Sequence, residues 1–129
     1  MGFMVKILVV GSGGFIGAAF RYLLAIFINK LYSGSFPIST LVINVLGSFF
    51  IGFLTQLYAV NYPDNKNLML FLTTGVLGGF TTFSTFSLET INLFQNGNTL
   101  QAVLNMSLSI AFCLTGTFLG KLLANVFIS

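Results

Sequence analysis

The chain has few residues that react or carry charge. Its 129 residues include no histidine, no tryptophan, one cysteine and two acidic residues, Asp64 and Glu89. One cysteine excludes a disulfide within the chain, and without histidine the Cys/His clusters that bind zinc are excluded by count. A Ser-His-Asp relay and a pair of catalytic carboxylates both lack their parts. We therefore predict that the protein is not an enzyme.

Apolar residues, in contrast, are abundant. The chain is 56% hydrophobic and 5% charged, a composition typical of integral membrane proteins. A membrane-spanning helix needs about 20 apolar residues, and the chain divides into four such stretches, at about 4–29, 38–60, 68–94 and 99–127. The connections between them are too short to hold a soluble domain. We predict one all-α membrane domain over residues 1–129, with four transmembrane helices.

The positive charges hardly favour one orientation in the membrane. Lys6, Lys66 and Lys121 fall near one membrane face, and Lys30 and Arg21 lie toward the other. This bias is very weak under the positive-inside rule, so insertion in both orientations is plausible. The charges form no basic patch, which leaves nucleic-acid binding without support. One four-helix unit cannot both enclose a polar path and cover it from lipid, so we expect two copies, and the weak charge bias permits one to be inverted relative to the other.

Two spans carry polar or small residues at every fourth position, along one helix face. They are Thr40, Asn44, Ser48, Gly52 and Gln56 in the second span, and Gln101, Asn105, Ser109, Cys113, Thr117 and Lys121 in the fourth. A polar stripe in a membrane helix must face protein or water. Two interpretations of Asn44 stay open, a donor that lines an ion pathway and a clamp between helices. Hydroxyls such as Thr117 could instead bond to carbonyls of their own helix.

The first span combines small residues with one charge. Gly13 and Gly17 form a small-xxx-small face that predicts close helix packing. Arg21 continues the same row, although a charged side chain inside the hydrocarbon costs about 3 kcal/mol unless it finds a partner or reaches the interface. It is either a structural anchor or a residue that draws anions toward a pathway.

The middle of the third span is unusually polar and rich in glycine. Glycines at 75, 78 and 79 and the five hydroxyls between Thr81 and Ser87 weaken an α-helix, so we predict a break near 78–82. Such a break frees carbonyls for a cation and amides for an anion. Phe83 and Phe86 share a face, and aromatic ring edges are positive, so they could stabilise a small anion. The alternative is that these rings are ordinary packing.

Three segments together closely resemble the small Fluc-type (CrcB) fluoride channels. They are Gly78-Gly-Phe-Thr-Thr-Phe-Ser-Thr-Phe-Ser87 followed by Glu89, Thr40-Leu-Val-Ile-Asn-Val45, and Gly13-Gly-Phe-Ile-Gly-Ala-Ala-Phe-Arg21. The resemblance covers the entire chain in order. It implies an antiparallel homodimer inserted in both orientations in a microbial plasma membrane. It also implies two fluoride pathways, each lined by both subunits, and a structural sodium ion at the dimer centre.

The resemblance further implies a set of site residues. The fluoride pathway would include Phe83, Phe86, Asn44, Thr40, Ser84, Thr85, Glu89 and Ser109. The backbone carbonyls of Gly78 and Thr81 would hold the sodium ion. Cys113 also falls in the pathway, where relatives often have a hydroxyl, and Asn105 stands where some have tyrosine.

These patterns predict passive, electrogenic fluoride export. Fluoride is strongly hydrated, so a pathway must replace its water with donors such as Asn44 while binding it weakly enough for release. The alternative is a dual-topology small multidrug exporter, for which Glu89 is the sole membrane carboxylate. A non-transporting assembly or lipid-binding protein is a third hypothesis, but it leaves the polar surfaces without a role.

Overall fold

The computed structural model describes residues 2–128, which fold into helices joined by short turns. The helices are α1 (Gly2–Leu31), α2 (Ile38–Asn61), α3 (Lys66–Leu70), α4 (Gly78–Phe80), α5 (Phe83–Gln95) and α6 (Thr99–Phe127), with a π-helical segment at Phe71–Leu77 between α3 and α4. We call the run from α3 to α5 the third span.

Within residues 2–128, four helical segments are long and apolar enough to cross a membrane. They are Gly2–Leu31, Ile38–Asn61, Lys66–Gln95 and Thr99–Phe127. The all-helical, multi-pass membrane fold predicted from the sequence is therefore confirmed. The segments begin or end within about two residues of the predicted stretches, because the apolar composition changes abruptly at the turns.

Glycine contacts bring the backbones of neighbouring helices together. A Cβ atom at Gly17 would overlap Val76 O of the third span, and one at Gly120 would overlap Phe49 O of α2. The same holds for Gly52, which lies against Thr117 O of α6. Small residues permit this close approach. The van der Waals contacts it creates stabilise helix association in lipid, where no hydrophobic driving force acts between helices. The predicted packing role of Gly17 is thus observed.

Polar and apolar side chains are arranged in the opposite way to those of a soluble protein. Large apolar side chains such as Phe15 and Phe118 are exposed on the outside of the helical segments. Apart from glycines, half of the buried residues within residues 2–128 are polar, and they are Ser39, Thr40, Thr90, Asn105 and Ser109. Lipid solvates the apolar exterior, so polar groups gather where helices meet. This interior polar set belongs to α2, α5 and α6.

The π-helical turn at Phe71–Leu77 was not predicted. The Thr73 hydroxyl donates to Met69 O at 2.7 Å, so a side chain supplies a donor to a backbone carbonyl of its own helix. Gly75 lies against α1, where an added Cβ would approach Gly13 Cα to 3.0 Å. Such wide turns often occur at functional sites. This one leads directly into the glycine-rich centre of the third span.

Candidate ion pathway

A groove of about 490 Å³ runs between α2, the third span and α6. It brings together predicted site residues from three helices: Asn44, Gly78, Thr81, Phe83, Phe86, Ser109 and Cys113. The remaining lining is Gly47, Ser48, Ile51, Thr73, Leu77, Thr82, Ile110 and Leu114. The other predicted site residues, Thr40, Ser84, Thr85, Glu89 and Arg21, lie outside this lining.

The backbone between α4 and α5 is extended. Thr81 has ψ 158°, and Thr82 has φ −152° and ψ 118°. The Thr82 hydroxyl oxygen accepts a hydrogen bond from the Thr85 N–H at 3.2 Å and so caps the start of α5. Sequence reasoning missed this role. The signal was a threonine directly before an uninterrupted helical run, the usual place of an N-cap.

The side-chain amide of Asn44 binds both backbone groups of Thr82. Its Nδ2 donates to Thr82 O at 3.0 Å, and its Oδ1 accepts from Thr82 N at 2.9 Å. These two bonds form the interhelical clamp that was one of the two interpretations. Asn44 also lines the groove, and within residues 2–128 its second Nδ2 hydrogen has no hydrogen-bond acceptor. This hydrogen remains available to an ion in the groove, so the interpretation of Asn44 as a donor that lines an ion pathway stays open.

These hydrogen bonds take donors away from two helix carbonyls. In a continuous α-helix the Thr82 N–H would donate to Gly78 O, and the Thr85 N–H would donate to Thr81 O. Here the first donates to Asn44 Oδ1 and the second to Thr82 Oγ1. Gly78 O and Thr81 O are thereby left without their α-helical donors.

Phe83 and Phe86 form a pair of tilted rings at the groove. Their centroids are 5.3 Å apart and their planes meet at 43°. Phe83 is 78% exposed, so its ring stands at the open side of the groove. The edge of an aromatic ring carries partial positive charge, so an anion beside these rings would be attracted to their edges.

Arg21 binds the backbone at the end of α4. Its Nε donates to Gly79 O at 3.1 Å across 58 residues of sequence. A positive charge is stabilising near a helix C-terminus, where carbonyls lack partners. Of the two interpretations of Arg21, this contact favours the structural anchor.

Hydroxyls extend from the groove along α5. Thr82 Oγ1 donates to Thr85 Oγ1 at 3.1 Å and lies 3.2 Å from Ser84 Oγ. Ser84 is exposed and Thr85 is half-buried. Both predicted track residues are thus joined to the groove through Thr82.

Glu89 lies in a second, polar pocket of about 310 Å³. Thr40 of α2 is buried and lies near the Glu89 carboxyl group. Within residues 2–128, Glu89 Oε1 is buried and lacks a hydrogen-bond partner. The rest of the pocket is lined largely by amides and hydroxyls: Asn29, Gly34, Ser35, Phe36, Pro37, Ser39, Asn92, Leu93, Asn96 and Asn98.

Two hydrogen bonds of α6 were not foreseen. Thr117 Oγ1 donates to Ser48 O of α2 at 2.9 Å, so the interpretation that Thr117 bonds to its own helix was wrong. The reason is the close approach of α2 and α6 at Gly52, which brings a foreign carbonyl within reach. Asn105 Nδ2 donates to Thr90 Oγ1 at 2.9 Å. Thr90 follows Phe83 and Phe86 by seven and four residues, a spacing that places all three on one helix face.

Comparison with known proteins decides the family. The family described as CrcB-like protein, Camphor Resistance (CrcB), matches residues 8–121. The chain belongs to the CrcB family. A Ruminiclostridium cellulolyticum protein named fluoride-specific ion channel FluC is 62% identical over 126 residues, which cover 98% of this chain and 97% of that protein.

More distant CrcB relatives carry the same name. The fluoride-specific ion channel FluC of Clostridium novyi is 43% identical and that of Elusimicrobium minutum is 47% identical, with 95% and 93% of this chain covered. The alignments also span 96% and 94% of those proteins. These findings confirm the resemblance inferred from the sequence and the prediction that the chain is not an enzyme. As a CrcB protein it is a multi-pass protein of the plasma membrane in bacteria.

Proposed function

We propose that this protein is a fluoride-selective channel that exports fluoride passively and electrogenically. The observation that carries the proposal is the groove in which the Asn44 amide, the Ser109 hydroxyl and the rings of Phe83 and Phe86 converge. Its relatives named fluoride-specific ion channels support the same ion. The multidrug exporter hypothesis is not favoured by these relatives.

The groove has the chemistry that a small, strongly hydrated anion requires. Asn44 retains one N–H donor, and ring edges of Phe83 and Phe86 add partial positive charge. No lysine or arginine is among the lining residues, which are all within the described range. Donors without full charges can replace water around fluoride and still release it.

Polar groups continue the pathway beyond the groove. Ser84 and Thr85 are hydrogen-bonded to Thr82 at the groove. Thr40 lies near Glu89, whose pocket is lined in part by asparagines. Cys113 lies one helical turn from Ser109 on the groove wall. We assign these residues to the fluoride pathway, where they offer an ion a succession of weak sites.

The groove supports an assembly of two inverted copies. It opens on the outside of the subunit, so in a single copy the polar lining of the groove, including the remaining Asn44 donor, would border on lipid. A second copy that covers this face would complete the walls. Because a two-fold axis duplicates every feature, the dimer would contain two pathways, each with residues of both subunits. The weak charge bias of the sequence permits the inverted orientation.

The freed carbonyls support a structural sodium ion at the dimer centre. Gly78 O and Thr81 O lack their α-helical donors because Asn44 and Thr82 take them. Two copies would bring four such oxygens together, and carbonyl oxygens are suitable ligands for a hard cation. No carboxylate is among the groove residues, which favours a monovalent ion. A bound sodium would supply positive charge to hold the carbonyls of both subunits.

Fluoride flux from sealed liposomes tests the function. Vesicles that contain the purified protein and potassium fluoride are diluted into fluoride-free buffer with an electrode, and a potassium ionophore then shunts the charge. We expect rapid fluoride efflux only after the ionophore, and no efflux in protein-free vesicles. Chloride-loaded vesicles should retain their chloride. Equal chloride and fluoride movement, or fluoride movement that needs a proton gradient, would contradict the proposal.

A further inference from the structure

We infer that Asn105 and Thr90 are positioning residues that keep the Ser109 hydroxyl available to an anion in the groove. This inference rests on the proposed function. It concerns three side chains that are almost fully buried, with exposures of 5% for Thr90, 1% for Asn105 and 8% for Ser109. Water is largely excluded from them, so the protein itself sets the direction of each hydrogen bond.

The backbone carbonyl of Phe86 sets the donor and acceptor roles in this chain of hydrogen bonds. The Thr90 hydroxyl donates to Phe86 O at 2.7 Å, which uses its single hydrogen. The contact of 2.9 Å between Asn105 Nδ2 and Thr90 Oγ1 must therefore have Asn105 as donor. This assignment places Nδ2 of the Asn105 amide toward Thr90 and Oδ1 on the other side.

The fixed amide presents an acceptor to Ser109. Asn105 Oδ1 faces Ser109 Oγ at 3.5 Å, whereas a strong hydroxyl hydrogen bond is about 2.7–2.8 Å long. The Ser109 hydrogen is thus held only weakly. An ion in the groove, which Ser109 also lines, can take that hydrogen at little cost.

Without Asn105 Oδ1 the hydroxyl has a competing acceptor. A serine inside a membrane helix commonly donates to the carbonyl four residues earlier, which for Ser109 is the backbone carbonyl at position 105. That bond would turn the hydrogen away from the groove. Asn105 thus prevents the serine from bonding to its own helix, and Thr90 prevents the amide from rotating.

Paired variants test this relay in the intact, full-length protein. Thr90→Val removes the hydroxyl with little change of shape, and Thr90→Ser keeps it. We expect Thr90→Val and Asn105→Leu to lower flux at low fluoride by about fivefold, in the range expected for one lost hydrogen bond. The fluoride concentration for half-maximal flux should rise in both, and Thr90→Ser should behave as wild type. Thr55→Val is the matched control, because within the described part of the chain the Thr55 hydroxyl bonds only to its own helix, at Ile51 O and Gly52 O.

A double-mutant cycle separates the relay from a general packing effect. If Thr90 and Asn105 act through Ser109, then Thr90→Val should have no further effect on flux in a Ser109→Ala background. Thermal unfolding of each detergent-purified variant checks that it is folded. If Asn105→Leu does not fold, Thr90→Val alone still tests the inference. Additive losses of flux, or a Thr90→Ser variant as impaired as Thr90→Val, would overturn the inference alone. Absence of fluoride flux in the wild type would overturn the proposed function and this inference with it.

Discussion

The Asn44 amide pairs with both the N–H and the C=O of Thr82, at 2.9 and 3.0 Å. A side chain of one span thereby substitutes for helix hydrogen bonds at the point where α4 gives way to α5. Unsatisfied backbone groups are costly inside a membrane. The extended conformation of Thr82 therefore depends on Asn44, and this dependence links the packing of two helices to the shape of the groove.

The first prediction concerns this pair. Asn44→Ala should lower fluoride flux by about tenfold, which corresponds to about 1.4 kcal/mol, because Thr82 loses both partners and the groove loses a donor. Asn61→Ala is the matched control: Asn61 is on the same helix and also bonds a backbone carbonyl, Phe127 O at 3.1 Å, away from the groove. Liposome flux of correctly assembled protein is the measurement. Equal flux in both variants would remove Asn44 from the pathway.

The second prediction separates two hydroxyls of α6. Ser109→Ala should reduce flux, because it removes a donor from the groove wall. Thr117→Ala should be close to silent in flux, since Thr117 itself does not line the groove and its hydroxyl is used by Ser48 O. It should lower the free energy of unfolding by about 0.6 kcal/mol, typical of such bonds in membranes. Flux and thermal unfolding of the two variants, measured side by side, decide the point; a flux loss confined to Thr117→Ala would reverse the assignment.

The third prediction tests the role of Arg21. Arg21→Met keeps an unbranched side chain but removes the donor to Gly79 O, so the midpoint of thermal unfolding should fall by several degrees, consistent with about 1–2 kcal/mol. Lys30→Met removes a charge of the same span that is exposed, and it should leave the midpoint unchanged. If the midpoint of Arg21→Met is normal while its flux falls steeply at low salt, Arg21 attracts anions and is not an anchor.

The fourth prediction concerns helix packing. Gly17→Ala should prevent normal assembly, because the new methyl group would overlap the backbone oxygen of Val76, which cannot move aside cheaply. Gly11→Ala on the same helix meets no atom within 4 Å and should be tolerated. Yield and elution profile in size-exclusion chromatography provide the comparison. A Gly17→Ala protein indistinguishable from Gly11→Ala would refute the close contact of α1 and the third span.

The fifth prediction concerns sodium. Replacing sodium with a large organic cation at equal ionic strength should lower the thermal midpoint, and adding sodium back should restore it in a saturable way. A ligand at 100 times its dissociation constant stabilises the folded form by about 2.7 kcal/mol, so the effect is measurable. A midpoint that does not depend on sodium would argue against a cation on the Gly78 and Thr81 carbonyls.

Part of the candidate site could be predicted because it depends on residue type alone. Asn44, Ser109 and Cys113 stand out as polar groups in apolar spans, and all three line the groove. Thr90 and Thr82 were missed, since a threonine in a membrane helix usually bonds to its own backbone. Their importance comes from neighbours that are distant in the sequence: Asn105 for Thr90 and Asn44 for Thr82.

The sequence by itself determined the four spans, the polar faces and the glycine contacts of α1. In a bilayer, helix positions that face lipid must be apolar, whereas positions that face protein can be polar or small. These two kinds of position recur with the helical period of 3.6 residues, so the sequence alone shows them. Only the tertiary structure decided that Arg21 binds Gly79 O, that Thr117 binds Ser48 O, and where the π-helical turn begins. A helical pattern shows which face is polar but not the rotation and axial position of the neighbouring helix. Those two quantities follow from close packing of whole surfaces, and they choose the partner of each hydrogen bond.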